Sequence, residues 1–160
     1  MQQALRHWRT LILFLYGAVL QTAVSKKLKD NGYTVIASEV KEGFQKPACF
    51  VDVLPVSVEI QNIYSELVTD SIEISFFPAV ETREELIQTA EHFKQIFLYS
   101  TTAINDRFLS INEITFDYEK PALVATFDLE YLQETGIDIE LMPKMKNLSE
   151  KVVTRSNGTS

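Results

Sequence analysis

One cysteine and two histidines stand in 160 residues, and that scarcity closes several functional classes at once. A single thiol cannot build a disulfide framework, and Cys49 with two distant histidines does not make the ligand spacing of a zinc site. Cys49 lies inside an apolar run, where a thiol acts as a small hydrophobe, and the lack of a framework fits reducing conditions. The chain also has no glycine-rich phosphate loop and no nucleophile motif, so the sequence assigns no catalytic residue, no metal ligand and no cofactor. Positive charge is short as well. The 15 Lys and Arg against 22 Asp and Glu give a net charge of −7, which argues against a free-standing nucleic-acid binder, since such domains present a basic patch. The longest apolar run, Leu11 to Leu20, is too short to span a membrane. What is left is one ordinary domain, long enough to bury about 70% of its unfolded surface without staples.

The first element reads as a helix. Leu5, Trp8, Ile12, Leu15, Val19 and Ala23 recur at spacings of three and four, Lys26, Lys27 and Lys29 suit a helix C-terminus, and Asn31-Gly32 stops it. A rival reading takes Arg6, His7 and Arg9, the apolar run and Ala23-Val24-Ser25 as a cleaved secretory signal, which would make the chain a secreted ligand-binding domain. The unbroken stripe running into the lysines favours the helix. Because Leu11 to Leu20 is apolar on nearly every side, the helix is expected to bury more than one face: either the sheet covers one side and a neighbouring subunit the other, or the excess is simple core.

Two β segments come next. Tyr33 to Ser38 and Cys49 to Leu54 read as paired strands, with Gly43 supplying the backbone freedom for a sharp reversal between them. In Tyr64 to Phe77, Ile72, Ile74 and Phe76 alternate with Ser71, Glu73 and Ser75, the pattern of a sheet with one covered face. Alternation weakens from Val56 to Asn62, and the two long strands are expected to form an extended hairpin with its tip near Glu59 to Glu66. Such a tip is either a solvated turn or an arm that reaches a neighbour. As an arm, it makes Glu59, Gln61, Asn62, Tyr64 and Glu66 candidate interface residues, and Asn105, Asp106 and Arg107 of a later loop join them.

The second helix has the plainest signature. Thr82 with Glu85 forms a capping box, Leu86, Ala90, Phe93 and Phe97 make an apolar stripe widened by Ile87 and Ile96, and Glu84, Gln88, Glu91 and Gln95 mark the solvent side. His92 lies in this helix with no nucleophile or paired carboxylate placed by a motif, so it carries no catalytic assignment. Leu109 to Tyr118 and Pro121 to Tyr131 then form a hairpin turning at Glu119-Lys120. The carboxylates of Glu113, Asp117, Asp128 and Glu130 suggest a metal or acid pair, but their period of two puts them on the solvent face of a ribbon. Past Gly136 the pattern decays, Met142-Pro143 breaks any element, and Ser156 to Ser160 is a polar tail. The expected organisation is one domain over 1–135 and an extended segment over 136–160. Its order α-β-β-β-α-β-β predicts an α+β fold of two layers, a mostly antiparallel sheet with helices packed on one face.

The stretch Glu39, Glu42, Gly43, Phe44, Pro47 and Phe50 resembles a segment of the tail terminator proteins of tailed bacteriophages, in the contractile-tail branch. Later elements fit the same family in order: a strand ending Phe76-Phe77-Pro78, an amphipathic helix, the strand INEITFDYE and the strand PALVATFDLEY, so that the likeness covers Leu11 to Tyr131. The resemblance implies a structural virion protein of the tail-neck region, assembled in the host cytoplasm, and no enzyme. It implies a hexameric ring that caps the tail tube, stops its polymerisation and docks the head or neck connector. Partners would be the tail tube protein, the connector and, in the contractile branch, the terminal sheath ring, with no membrane. In such a ring Glu113, Asp117, Asp128 and Glu130 would face the channel, and DNA would pass through the lumen without specific binding. Another neck or head-tail joining protein of the same particle is the alternative.

Overall fold

The computed structural model describes residues 17–36, 43–104 and 107–136. Helix α1 covers described residues 17–30. It is followed by β1 (Val35–Ile36), β2 (Ala48–Ile60), β3 (Ser65–Phe77), α2 (Arg83–Phe97), β4 (Thr102–Ile104), β5 (Arg107–Leu109), β6 (Thr115–Glu119) and β7 (Ala122–Glu134). Five strands make one sheet in the order β1-β2-β3-β7-β6, antiparallel except for β1 with β2, while β4 and β5 form a separate small hairpin. The order α-β-β-β-α-β-β and the two-layer α+β class are those the sequence predicts, with the β4–β5 hairpin added.

Both helices lie on one face of the sheet. Leu20, Val24 and Leu28 of α1 and Phe93, Ile96 and Phe97 of α2 join one buried cluster with Cys49, Val51, Ile72, Ile74, Phe76 and Phe127 of the strands. Strand β3 shows why: Glu66, Val68, Asp70, Ile72, Ile74 and Phe76 are buried, and the residues between them are not, the period of two expected of a sheet covered on one side. Phe93 sits at the centre of an aromatic run, its ring 5.2 Å from Tyr33, 6.3 Å from Phe76 and 6.2 Å from Phe97.

The helix ends follow local chemistry. Gly32 takes a positive φ of 89° after α1, with Gly32 N–H donating to Lys29 O and Tyr33 N–H to Leu28 O, the paired bonds of a Schellman stop. At α2, Thr82 Oγ1 accepts from Glu85 N–H, but the Glu85 carboxylate reaches back to the N–H groups of Ala79 and Val80 instead of closing on Thr82.

Five expectations need correction. The predicted strand Leu109 to Tyr118 is strand only at Leu109, the end of β5, and from Thr115 in β6, so Glu113 lies on a loop where the period of two does not apply. The segments at Val35 and Cys49 do pair, yet in parallel (Val35 with Cys49, Ile36 with Phe50); parallel partners need a crossover and not a tight reversal, and eleven residues separate Ile36 from Ala48. On α1 the fully buried stripe is Leu20, Val24 and Leu28, with Val19 and Ala23 at its flank. Ile87 is exposed on α2, whose core stripe ends at Leu86 and Ala90. The weakened alternation after Leu54 is a β-bulge inside one continuous strand. Val53 and Pro55 face the helices opposite Ile72 and Asp70, the register shifts between Pro55 and Ser57, and Val58 and Ile60 then face the same side opposite Val68 and Glu66. The predicted strand beyond Ile36, the α1 stripe before residue 17 and the segment from 137 onward lie outside the described residues.

Candidate interaction surfaces

Three features arise from this sheet, two surfaces and one buried pair. The first is the β2–β3 hairpin. Its turn, residues 61–64, is held by the Asn62 side chain, whose Oδ1 accepts from Tyr64 and Ser65 N–H, and by Gln61 and Asn62 N–H donating to Ser65 O. Glu59, Gln61, Asn62 and Tyr64 are all exposed there, as predicted for a tip. Glu66 is not. It is buried facing the helix side, and its Oε1 accepts from Gln133 Nε2 at 2.6 Å, so it anchors the base of the tip instead of its surface. Among the described residues no strand pairs with β2 beyond Phe50 on its outer side, and this edge exposes Leu54, Val56, Val58 and Ile60. Pro55 and the bulge interrupt the edge, devices that limit indiscriminate strand pairing.

Arg107 lies at the same end of the sheet. Its guanidinium donates to Leu132 O on β7, and Leu132 stands opposite Leu67 of β3, close to the hairpin turn. The structure thus brings Arg107 toward the tip residues; Asn105 and Asp106 are outside the described residues.

The second surface is the sheet face away from the helices. Registers put Asp52, Glu73, Asp117, Glu119, Asp128 and Glu130 on it, and no strand residue of the described sheet contributes a Lys or Arg there. Asp52 stands directly opposite Glu73, a like-charge pair that a sheet tolerates at some cost. The predicted acids Asp117, Asp128 and Glu130 therefore share one face, with Asp117 opposite Val124 and so four and six residues along β7 from the other two. Glu113, on the loop before β6, joins Asp128 and Glu130 in lining a cleft of about 460 Å³. Sequence reading put Glu73 on the uncovered side of its strand but counted neither it nor Asp52 among the candidate acids, although the same period of two marks both. One corner of this face is closed by Phe44, Phe50 and Phe77, packed edge to face with centroids 4.9 to 5.5 Å apart. Lys46 lies over Phe77 and 3.6 Å from Glu81. Gly43, with φ of 76°, lets the chain turn into this cap.

The third is internal. Asp70 is buried on the helix side of β3, and its Oδ2 accepts from the Tyr131 hydroxyl at 2.7 Å. Burial raises the Asp70 pKa, partly offset by that hydrogen bond. A carboxyl with a raised folded pKa contributes most to stability when protonated, and that contribution is lost as pH rises from the unfolded value through the folded one. Replacing Tyr131 by Phe removes the donor, and the loss is expected to be about 1–3 kcal/mol. Because the bond favours the ionised form, denaturant titrations should show a larger loss at pH 7 than at pH 4, and Asp70→Asn should flatten the wild-type pH slope.

His92 has a structural partner: its Nδ1 lies 2.7 Å from the Tyr33 hydroxyl. Among the described residues no three His, Cys, Asp or Glu side chains are grouped to hold a metal, and no helix is long and apolar enough to cross a membrane.

A family model described as phage tail terminator protein matches residues 20–140. The chain belongs to the phage tail terminator family. The match spans the sheet, both helices and the exposed hairpin, and it places the chain among structural proteins of the bacteriophage tail that work with other tail and neck proteins. No curated protein matches the chain. Among the solved structures that match, one aligns with a TM-score of 0.41 and 11% identity over 76% of this chain and 96% of its own.

Proposed function

We propose that this tail terminator assembles as a ring of six copies on the end of the tail tube, stops tube polymerisation and offers the surface on which the head or neck connector docks. The observation that supports it most is the division of the sheet: one face is covered by helices, while the charged strand residues of the other are all acids and adjoin an exposed hairpin. A ring gives each feature a use. Contacts between unlike patches of identical copies close into rings when the rotation closes. An acidic face turned to the lumen repels DNA phosphates, so that DNA passes without being held. In this reading Glu113, Asp117, Asp128 and Glu130 line the channel, and Glu59, Gln61, Asn62, Tyr64 and Arg107 meet a neighbour or the tube. The domain is 1–135, the segment 136–160 extends from it, and the chain carries no catalytic step. The cap forms in the host cytoplasm, with a terminal sheath ring as a further partner if the tail is contractile.

Electron microscopy of particles made without this chain tests the proposal. Tubes longer than wild type are expected, because nothing halts their growth. Tails of normal length lacking heads would instead assign the chain to a connector.

A further inference from the structure

Charge is segregated along this chain in a way that pairs two of its surfaces. From Pro47 to Thr82, the stretch containing the hairpin, the sequence has six acids and no Lys, Arg or His. At the hairpin the exposed apolar residues gather along the β2 edge and the turn: Leu54, Val56 and Ile60 are each more than half exposed, and so is Tyr64. Glu66 is buried, so Glu59 is the exposed acid of this apolar tip, and an occupant for it needs an apolar floor with a positive group at the rim.

The chain itself carries one. Ala18, Val19 and Ala23 of α1 with Ala103 and Ile104 of β4 line a groove of about 430 Å³ that has Lys26 at its rim. Lys29, one helical turn on, is exposed as well. The groove is a built feature. The Lys27 ammonium donates to Thr101 O at 2.9 Å and to Thr102 Oγ1 at 3.1 Å, tying the start of β4 to α1 and fixing the distance between the two walls. A second apolar groove, between α2 and β6, has both Glu81 and Arg83 at its rim and so lacks the charge preference.

The tip cannot reach its own groove. Gln21 of α1 donates to Val51 O, which fixes the helix on the near part of β2. From Val51 to Ile60 the strand runs roughly 30 Å outward at the usual rise per residue. It is held along β3 as far as the Ile60–Glu66 pair, so it cannot fold back.

We propose that the β2–β3 tip of one copy seats in the α1–β4 groove of the next, with its apolar edge on the Ala and Ile floor and Glu59 beside Lys26. This contact rests on the proposed ring and names the two patches that meet in it. The contact is heterologous, since tip and groove are different surfaces of one rigid chain, and it therefore leads to a closed ring or an open filament.

Cysteine cross-linking of the purified full chain tests it. Ile60→Cys and Thr22→Cys place thiols at exposed positions on the tip and beside Lys26. The native Cys49 is fully buried with its thiol pushed up to about 12, so it stays silent. Mixing the two variants under mild oxidation is expected to give at least about tenfold more linked dimer than either alone, and the double variant a ladder of linked copies. Adding Lys26→Glu should reduce the yield about tenfold, the size of a lost charged contact of about 1.4 kcal/mol, and adding Glu59→Lys with it should restore the yield. Equal linking by Ile60→Cys alone would mean a tip-to-tip contact and overturn the proposal. Linking of Ile60→Cys to tube protein, but not to Thr22→Cys, would overturn it too. Overlong tubes in the deletion particle together with either result would keep the cap and discard this contact.

Discussion

Replacing Phe93 by alanine is expected to remove about 3–5 kcal/mol of stability, a large part of the roughly 5–15 kcal/mol of a typical domain. The side chain is fully buried and touches both layers, with Tyr33 after α1, Phe76 on β3 and Phe97 one turn along α2 all within ring-contact distance. Truncation leaves a cavity that this cluster cannot collapse to fill, because each neighbouring ring is itself held by another; Phe97, for example, packs on Phe127 at 5.1 Å. For a domain of this size the loss corresponds to a fall in melting temperature of roughly 10 °C. Ile87→Ala on the same helix is the control. Its side chain faces solvent, so a change within about 0.5 kcal/mol is expected. Parallel calorimetric scans of the two variants check both values, and similar losses would mean that α2 is rotated relative to the packing described.

That contrast also shows where the sequence was legible. The i, i+4, i+7, i+11 stripe from Leu86 to Phe97 predicts which side of α2 is buried, because one helical face meets one sheet and the spacing records it. Ile87 misleads because hydrophobicity says nothing about how wide the covering surface is; the sheet edge at β6 leaves it uncovered. Strand β3 reads correctly for the same reason as α2, with one face covered throughout. Strand β2 reads poorly, since the bulge after Pro55 moves the inward residues from odd to even numbers and breaks the alternation where the strand in fact continues. The parallel pairing of β1 is invisible to local pattern, because pairing direction depends on where the connection travels. At the candidate surfaces, exposure of Gln61, Asn62 and Tyr64 follows from turn chemistry. Burial of Glu66 does not, because it depends on Gln133, which is 67 residues away in the chain.

Reversing three acids on the open sheet face is expected to turn a surface that ignores DNA into one that holds it. Each of Asp117→Lys, Asp128→Lys and Glu130→Lys adds two units of charge, so the triple variant takes the formal net charge from −7 to −1 and puts three lysines on a face whose described charged strand residues are all acids. All three side chains are exposed, and the fold should keep its stability within a few tenths of a kcal/mol per site. Three phosphate contacts should give nonspecific binding of duplex DNA with a dissociation constant on the order of 10⁻⁴ to 10⁻⁶ M, and a log–log salt slope of about −3. The wild-type chain should show no such salt-dependent retention. In assembled particles the same triple variant should slow DNA delivery if this face lines the lumen, since each basic copy in the ring adds drag on the phosphate backbone. A variant that binds DNA in solution yet delivers it at the wild-type rate would put the acidic face on the outside of the ring. The lumen would then have to be lined by another surface of the chain.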